Sequence, residues 1–161
     1  MNIFVLDSDP AKAAEMLCDS HVRKMCLETA QILSGVMLRR NMELLEGMPK
    51  PQNVNHPVIV AADNDNAINW VLDYNIALLD EFQHRFNKKH KYDGHAMEYV
   101  LNLLVMNFST DCANLAKCCG DLDVEKLDVV SAYRKYYTEV KKPALTEKNM
   151  WKFTKREDWT K

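Results

Sequence analysis

Apolar residues recur every three or four positions in three long segments of the chain, at 67–88, 95–108 and 124–142. The repeat is clearest in the first segment, where its members are Ile68, Leu72, Ile76, Leu79, Phe82 and Phe86. This spacing places the apolar side chains on one face of an α-helix. The pattern therefore predicts three amphipathic helices.

Capping residues predict where further helices begin and end. Asp9 followed by Pro10 predicts an N-cap and a first helical position. This helix runs through Leu17, bends at a joint at 19–20 and continues to about Leu45, where the segment 47–51 ends it. His56-Pro57 begins a short helix that ends near Ala62. Asp65 and Asp123 cap the segments 67–88 and 124–142, and Pro143 ends the last of them.

The segment Ile3–Leu6 is apolar but too short and isolated to found a sheet, so we expect an extended N-terminal arm. The chain has 161 residues, of which 47% are hydrophobic, with only 4 Gly and 5 Pro. These values predict one compact all-α domain over 1–161, a bundle of about five helices with a tail from about 143.

The five cysteines are odd in number and form no CxxC pair, and Asp7 and Asp9 interrupt the apolar start of the chain. Both features favour free thiols in a reducing cytoplasm, that of a prokaryote or a phage-infected cell. No apolar run approaches the roughly 18 residues that span a bilayer, so we expect no membrane partner. The Cys and His spacing does not match a zinc site, and we expect no metal and no cofactor.

Charge is unevenly distributed along the chain. Residues 1–125 hold 11 Lys and Arg against 18 Asp and Glu, a balance of −7. Residues 126–161 hold 10 against 5, a balance of +5, which gives the whole chain −2. The basic end is where a polyanion would bind, although a solvated lysine-rich tail has the same composition.

The segment 18–34 carries the polar residues most suited to chemistry. His21, Lys24, Glu28 and Gln31 follow Asp19 at helical spacing, and His21 and Glu28 are two turns apart on one face. A carboxylate and an imidazole on one face can serve as acid, base or charge stabiliser. The alternative is an ordinary solvated face with a Lys–Glu surface pair.

The C-terminal part interleaves aromatic and basic residues. Basic groups suit phosphates and exposed rings can stack on bases, but the same rings can equally be core residues that pin the tail. The residues with which we expect this part to bind DNA are Arg134, Lys135, Tyr136, Trp151, Lys152 and Arg156.

The segment Leu17–Val22, with Glu28 seven residues after His21, resembles the pyrimidine-dimer DNA glycosylases of the phage endonuclease V type. The chain is also similar to short phage and bacterial proteins that begin MNIFVLD and carry Asn55-His56-Pro57 and AYRKYY at 132–137. The first resemblance implies a small helical protein that binds double-stranded DNA and excises or recognises damaged or modified bases.

The resemblance also implies roles for individual residues. Glu28 matches the catalytic carboxylate, His21 would orient or bind a phosphate, and the N-terminal amine would be the nucleophile. Lys24 and Gln31 would contact DNA. In that family a small second residue is exposed by Met removal, whereas Asn2 disfavours removal and leaves the amine on Met1. Gln31 replaces a family Arg, so a non-catalytic nucleic-acid-binding or host-interaction protein on the same scaffold is the alternative.

Overall fold

The computed structural model describes residues 1–106, 109–145, 151–153 and 159. Within these residues the chain is helical and contains no β-strand, which confirms the all-α prediction. A 3₁₀ turn at Asp93–His95 precedes the fifth helix, and a π-helical turn at Tyr137–Lys141 extends the sixth. The six α-helices are α1 (Pro10–Glu15), α2 (Asp19–Arg39), α3 (Pro57–Ala62), α4 (Asp65–Phe86), α5 (Ala96–Leu103) and α6 (Val129–Tyr136).

The two long helices α2 and α4 pack against each other and form the centre of the bundle. Helix α1 packs on α4, whereas α3 and α5 each contact both long helices. In the described part of the chain, none of the helices combines the length and apolar character required to cross a membrane.

The N-terminal arm passes through the interior of the bundle. Residues 3–6 are all buried, and no neighbouring strand pairs with them in the described structure. Side chains instead donate hydrogen bonds to carbonyl groups within this segment and just after it. The Tyr74 hydroxyl donates to the Phe4 carbonyl at 3.0 Å, the Arg134 Nε to the Leu6 carbonyl at 2.6 Å, and the Trp70 indole to the Ser8 carbonyl at 2.7 Å. Buried backbone groups need such partners, and here they fix the arm in one position.

A buried guanidinium holds the junction between α1 and α2. Arg85 Nη1 donates to Asp19 Oδ1 at 3.0 Å and to the Leu17 carbonyl at 2.7 Å, while Nε donates to Glu81 Oε1 at 2.7 Å. Arg85 Nη2 also reaches the Glu15 carbonyl. The break between the helices therefore lies at 16–18, where these carbonyls turn inward, and not at the predicted joint at 19–20.

Helix α2 ends at Arg39, which makes the predicted end near Leu45 wrong. Asn41 adopts the left-handed conformation with φ 58°. The Met42 amide then donates to the Met37 carbonyl at 2.9 Å and the Asn41 amide to the Leu38 carbonyl at 3.1 Å. This is the Schellman arrangement, with Asn in the position usually taken by Gly. The sequence analysis treated Gly47 as the terminator and overlooked Asn41.

Helix α5 is also shorter than predicted. It ends at Leu103, whereas the apolar repeat suggested a helix to Phe108, which lies outside the described residues. The Asn69 carboxamide bonds both backbone groups of Val105, accepting from its N–H at 3.0 Å and donating to its carbonyl at 2.9 Å. A backbone paired in this way cannot continue the helical hydrogen-bond pattern.

Helix α6 begins at Val129 with Asp128 as its N-cap, and the predicted start at Val124 after Asp123 is wrong. Lys117 Nζ donates to three carbonyl groups of the preceding segment, at distances of 2.8–3.0 Å. These belong to Val124, Glu125 and Leu127. The cation holds this segment as a loop.

The shorter and central elements follow their sequence signals more closely. Helix α3 spans Pro57–Ala62 as predicted, with the His56 ring as its cap. Helix α4 begins at Asp65, earlier than the predicted 67, because Asn64 caps it. It ends at Phe86 because Asn87 takes a left-handed conformation with φ 51°. All five cysteines are free thiols.

Gly35 allows α3 to pack closely on α2, and this contact yields a stability prediction. A Cβ at position 35 would lie 2.5 Å from Ile59 Cδ1 and 2.9 Å from Ile59 Cγ2. We expect Gly35→Ala to lower the free energy of unfolding by about 1–2 kcal/mol, despite alanine's better helix propensity. Urea denaturation measures the change.

The control is Gly94→Ala, where a new Cβ meets no atom within 4 Å. Ile59→Val removes the Cδ1 atom, so Gly35→Ala should be less destabilising in that background. Equal costs of Gly35→Ala in both backgrounds would contradict the packing account.

Candidate functional site

The side chain of Glu28, on α2, lies against the beginning of the N-terminal arm. Its Oε2 accepts the Asn2 backbone N–H at 2.9 Å, and its Oε1 lies 3.3 Å from Lys24 Nζ one helical turn earlier. Glu28 is only 8% exposed, while the Lys24 side chain is 54% exposed. This face of α2 is therefore not an ordinary solvated surface, because its carboxylate is buried against the start of the chain.

His21 is held by a tyrosine from the last helical segment. The Tyr137 hydroxyl accepts the Cys18 backbone N–H at 2.9 Å and lies 2.9 Å from His21 Nδ1. The Tyr137 hydroxyl has one proton and two lone pairs, so it pairs with either tautomer of the imidazole, donating to Nδ1 or accepting its proton. In both cases the contact fixes the orientation of the His21 ring.

Burial and positive neighbours keep His21 neutral. Desolvation, followed by the charges of Lys24 and Lys141, lowers its pKa from 6.5 to about 4. His21 is 7% exposed, and its ring lies 4.9 Å from that of Phe4 in the arm. Near neutral pH His21 is therefore a neutral imidazole, not a cation that could pair with a phosphate.

Two further side chains approach this end of the arm. Gln31 Nε2 donates to the Lys50 carbonyl at 3.2 Å, which holds the loop 49–56 over α2. The pKa of His56, at the end of this loop, is lowered by burial and then by the N-terminal ammonium, and the charge of Glu28 opposes the shift. His56 thus lies within electrostatic reach of both the N-terminus and Glu28.

The predicted DNA-binding residues of α6 have partners within the protein. Arg134 Nη2 lies 3.0 Å from Asp7 Oδ2, in addition to the bond from its Nε to the arm. Lys135 Nζ donates to the Asp123 carbonyl at 3.2 Å. The Tyr136 ring is buried, with Lys141 Nζ 5.0 Å from its centre. Only Arg134 of the three is exposed; Lys135 is half-buried.

The tail residues differ in their surroundings. Trp151 is half-buried against the core, and its indole N–H is buried without a hydrogen-bond partner among the described residues. Lys152 is exposed and lies over the Phe153 ring at 5.3 Å. The Phe153 backbone N–H donates to Asp19 Oδ2 at 2.9 Å, which brings this segment to the start of α2. Arg156 lies outside the described residues.

The Glu28 carboxylate is buried against the backbone N–H of residue 2, one residue after the N-terminal amine that the resemblance assigned as nucleophile. The family model of pyrimidine dimer DNA glycosylases matches residues 1–93, more than half of the chain. The chain belongs to the pyrimidine dimer DNA glycosylase family. The matched residues include the arm, the whole of α2 with His21 and Glu28, and α4, which supplies Tyr74 and Arg85. No curated protein and no solved structure matched the chain.

The sequence analysis missed several residues at this site. His56 belongs to the motif Asn55-His56-Pro57, which is the feature of the sequence that could have identified it as a residue of the site. Tyr133 and Tyr137 belong to the AYRKYY segment and are buried in the core, but their hydroxyls also bond the site segments. Asn2 was considered only as an obstacle to removal of Met1.

The pKa of His21 predicts how this family member responds to acid. Between pH 6.5 and 4, His21 is protonated in the unfolded chain but stays neutral in the folded protein. The titration of His21 therefore leaves the free energy of unfolding unchanged above pH 6.5 and lowers it by about 3 kcal/mol as the pH decreases to 4. Urea denaturation of the wild type and of His21→Asn at pH 7.5 and 5 isolates this contribution.

Asparagine places its carboxamide near the position of His21 Nδ1, so it keeps a hydrogen-bonding partner for the Tyr137 hydroxyl without a titrating group. The variant should lose about 2 kcal/mol less than the wild type between the two pH values. The same loss in both proteins would show that His21 titrates normally.

Proposed function

We propose that this protein is a DNA glycosylase with lyase activity that removes damaged or modified bases from double-stranded DNA. The N-terminal amine acts as nucleophile and Glu28 as the catalytic carboxylate. The observation that carries the proposal is the 2.9 Å contact between the backbone nitrogen of residue 2 and Glu28 Oε2. Membership of the family supports DNA as the substrate.

The chemistry requires an amine and a carboxylate in contact. The neutral amine attacks C1′ of the sugar and forms an N–C1′ bond, while the base leaves with the electron pair of its own bond to C1′ and takes up a proton from solvent. The ring oxygen then receives the proton that the amine gave to Glu28, and cleavage of the bond between C1′ and this oxygen gives a protonated imine. Glu28 receives the proton that the amine loses and stabilises the positive charge that develops on the sugar. Its burial excludes bulk water from the reacting groups.

Neighbouring groups support these two roles. Lys24 Nζ, half-exposed and 3.3 Å from Glu28 Oε1, is placed to bind a phosphate next to the reacting sugar. In the tautomer that accepts the Tyr137 hydroxyl proton on Nδ1, neutral His21 donates its Nε2 proton to a phosphate or sugar oxygen. Gln31, in place of a family Arg, holds the loop 49–56 through the Lys50 carbonyl and brings no charge.

Two nitrogens qualify as the nucleophile. The Met1 amine is the nucleophile if Met1 is retained, and it lies one residue beyond the nitrogen that contacts Glu28. If Met1 is removed, the Asn2 nitrogen becomes the α-amine and already lies against the carboxylate. Intact-mass measurement of the purified protein distinguishes the two forms.

Access of the amine to C1′ requires that the damaged nucleotide leave the helix stack. This step costs a few kcal/mol and is easiest for a distorted pair. We propose that the exposed Arg134 and Lys152, the half-buried Lys135 and Trp151, and Arg156 contact the DNA around the displaced nucleotide, whereas the buried Tyr136 supports this surface from within the fold. The approach of Phe153 to Asp19 supports this, because it brings the aromatic tail to the helix that carries Glu28.

Borohydride trapping tests the catalytic proposal. Incubation with ultraviolet-irradiated duplex and with abasic duplex should give a reduced covalent protein–DNA adduct. Glu28→Gln keeps the size of the side chain but removes the base, and it should lower the trapping rate by roughly 100-fold or more. Glu46→Gln, the same change at an exposed position, should trap at the wild-type rate.

The absence of any wild-type adduct on either duplex, together with intact DNA strands, would contradict the enzymatic proposal. The protein would then be a non-catalytic nucleic-acid binder or host-interaction protein on the same scaffold. Gln31 in place of the family Arg is the observation that favours this alternative.

A fluorescence-anisotropy titration at two salt concentrations tests the proposed contacts of the tail. Lys152→Ala should weaken binding to every DNA sequence and reduce the salt slope by about one log unit per log unit of salt. Trp151→Ala should cost roughly 1–3 kcal/mol of affinity with little change of slope if the ring stacks on a base. Lys12→Ala on α1, outside the proposed contacts, is the control.

A different result is expected if Trp151 only packs the tail. Trp151→Ala would then lower the melting temperature and leave the affinity of the folded fraction unchanged. No detectable binding of the wild type to any DNA at low salt would contradict the whole interface.

A further inference from the structure

The Asn2 side chain makes contacts that are unusual for the second residue of a chain. Its Nδ2 donates to the Cys118 carbonyl at 3.0 Å, and its Oδ1 accepts the Ile3 N–H at 2.7 Å. The Tyr133 hydroxyl lies 3.1 Å from the same Oδ1. Residues near a terminus usually fray. Here, groups more than 100 positions away in sequence hold the carboxamide.

The segment that receives Asn2 is itself fixed from both sides. The Tyr133 hydroxyl accepts the Cys118 N–H at 3.2 Å and shares its one proton between the Ala116 carbonyl at 2.8 Å and Asn2 Oδ1 at 3.1 Å, and its ring is fully buried. On the other side, Lys117 Nζ bonds the carbonyls of the loop 124–127. The Cys118 carbonyl is therefore a stationary acceptor.

The fixed carboxamide determines where the backbone nitrogen lies. The nitrogen and the carboxamide of Asn2 are joined through one Cα, and the nitrogen contacts Glu28 Oε2 at 2.9 Å. With the side chain held at both ends, the nitrogen has little freedom relative to the carboxylate. Both groups of an amide are used, a donor toward Cys118 and an acceptor toward Ile3, so no other residue of this size satisfies the pocket.

We propose that Asn2 is a positioning residue, whose carboxamide is bound by the Cys118 carbonyl and Tyr133 hydroxyl so that the start of the chain is held against Glu28. This inference rests on the proposed function, since it assigns the placement of the proposed nucleophile. A misplacement of about 1 Å can cost 100-fold in rate.

Asn2→Asp is the sharpest test, because it keeps the shape and replaces the donor toward Cys118 with an oxygen. The carboxylate repels the Cys118 carbonyl and leaves the pocket. We expect the single-turnover trapping rate on abasic duplex, at saturating DNA, to fall roughly 10- to 100-fold. The affinity for DNA should change less than about twofold, since this residue is not among the proposed DNA contacts.

The matched control is Asn114→Asp, the same chemical change at an exposed position close in sequence to the receiving segment. It should leave the rate unchanged. Intact-mass measurement of all three proteins verifies that their N-termini are processed alike, so that the comparison concerns only the side chain.

Amide hydrogen exchange tests the placement independently of activity. The Ile3 N–H, which bonds Asn2 Oδ1, should lose protection in Asn2→Asp, while the Leu6 N–H, bonded to the Phe4 carbonyl, should keep it. Retained protection of Ile3, or a wild-type trapping rate in Asn2→Asp, would overturn the inference. If the wild type itself traps no DNA, the proposed function fails, and Ile3 exchange still decides whether Asn2 holds the arm.

Discussion

The structure depends on a buried segment near the N-terminus that pairs with no strand in the described part of the chain. Residues 3–6 run through the core, where unpaired backbone groups would cost free energy. Side chains from α4 and α6 supply the missing donors, among them Tyr74 and Arg134. Because these donors come from helices that are packed elsewhere, they fix the direction of the arm as well as its depth. The N-terminus consequently lies against Glu28.

A second buried network fixes the helix that carries Glu28. Arg85 joins Asp19 and Glu81 and also bonds carbonyl groups before α2. Removing one member of such a network leaves an uncompensated buried charge, which is costly. Asp19 in turn receives the Phe153 N–H, so the start of α2 and the aromatic tail share one carboxylate. The site is therefore connected to both ends of the chain through groups that do not take part in the chemistry.

The sequence predicted the elements whose causes are local. The apolar repeat of α4, the Pro57 start of α3 and the Asp9-Pro10 start of α1 are encoded by adjacent residues, and all three helices are present. Two of the errors lie where a side chain outside the segment decides its backbone, whereas the end of α2 was missed although Asn41 encodes it locally. Asn69 ends α5 through Val105, 36 positions away, and Lys117 keeps 124–127 out of α6 from 7 to 10 positions before the carbonyls it bonds. The apolar pattern within those two segments does not reveal either partner.

The candidate site likewise combines features that local sequence predicts with features that only contacts in the folded chain determine. The spacing of His21 and Glu28 identified their common helix face, but spacing could not show that this face is buried. Burial follows from the arm, which brings Phe4 against His21 and Asn2 against Glu28. The orientation of the His21 ring likewise depends on Tyr137, 116 positions away. Contacts of this range require the folded chain.

The proposed function requires that the fold hold a backbone nitrogen of the chain terminus against the buried Glu28 carboxylate, where this nitrogen forms a covalent bond with the sugar. Peptide mapping by mass spectrometry of the borohydride-reduced, nuclease-digested adduct on abasic DNA tests it most directly. The account predicts the sugar remnant on the α-nitrogen of the N-terminal residue, Met1 or, after its removal, Asn2. A remnant on a lysine side chain such as Lys24, with the α-nitrogen unmodified, would contradict it.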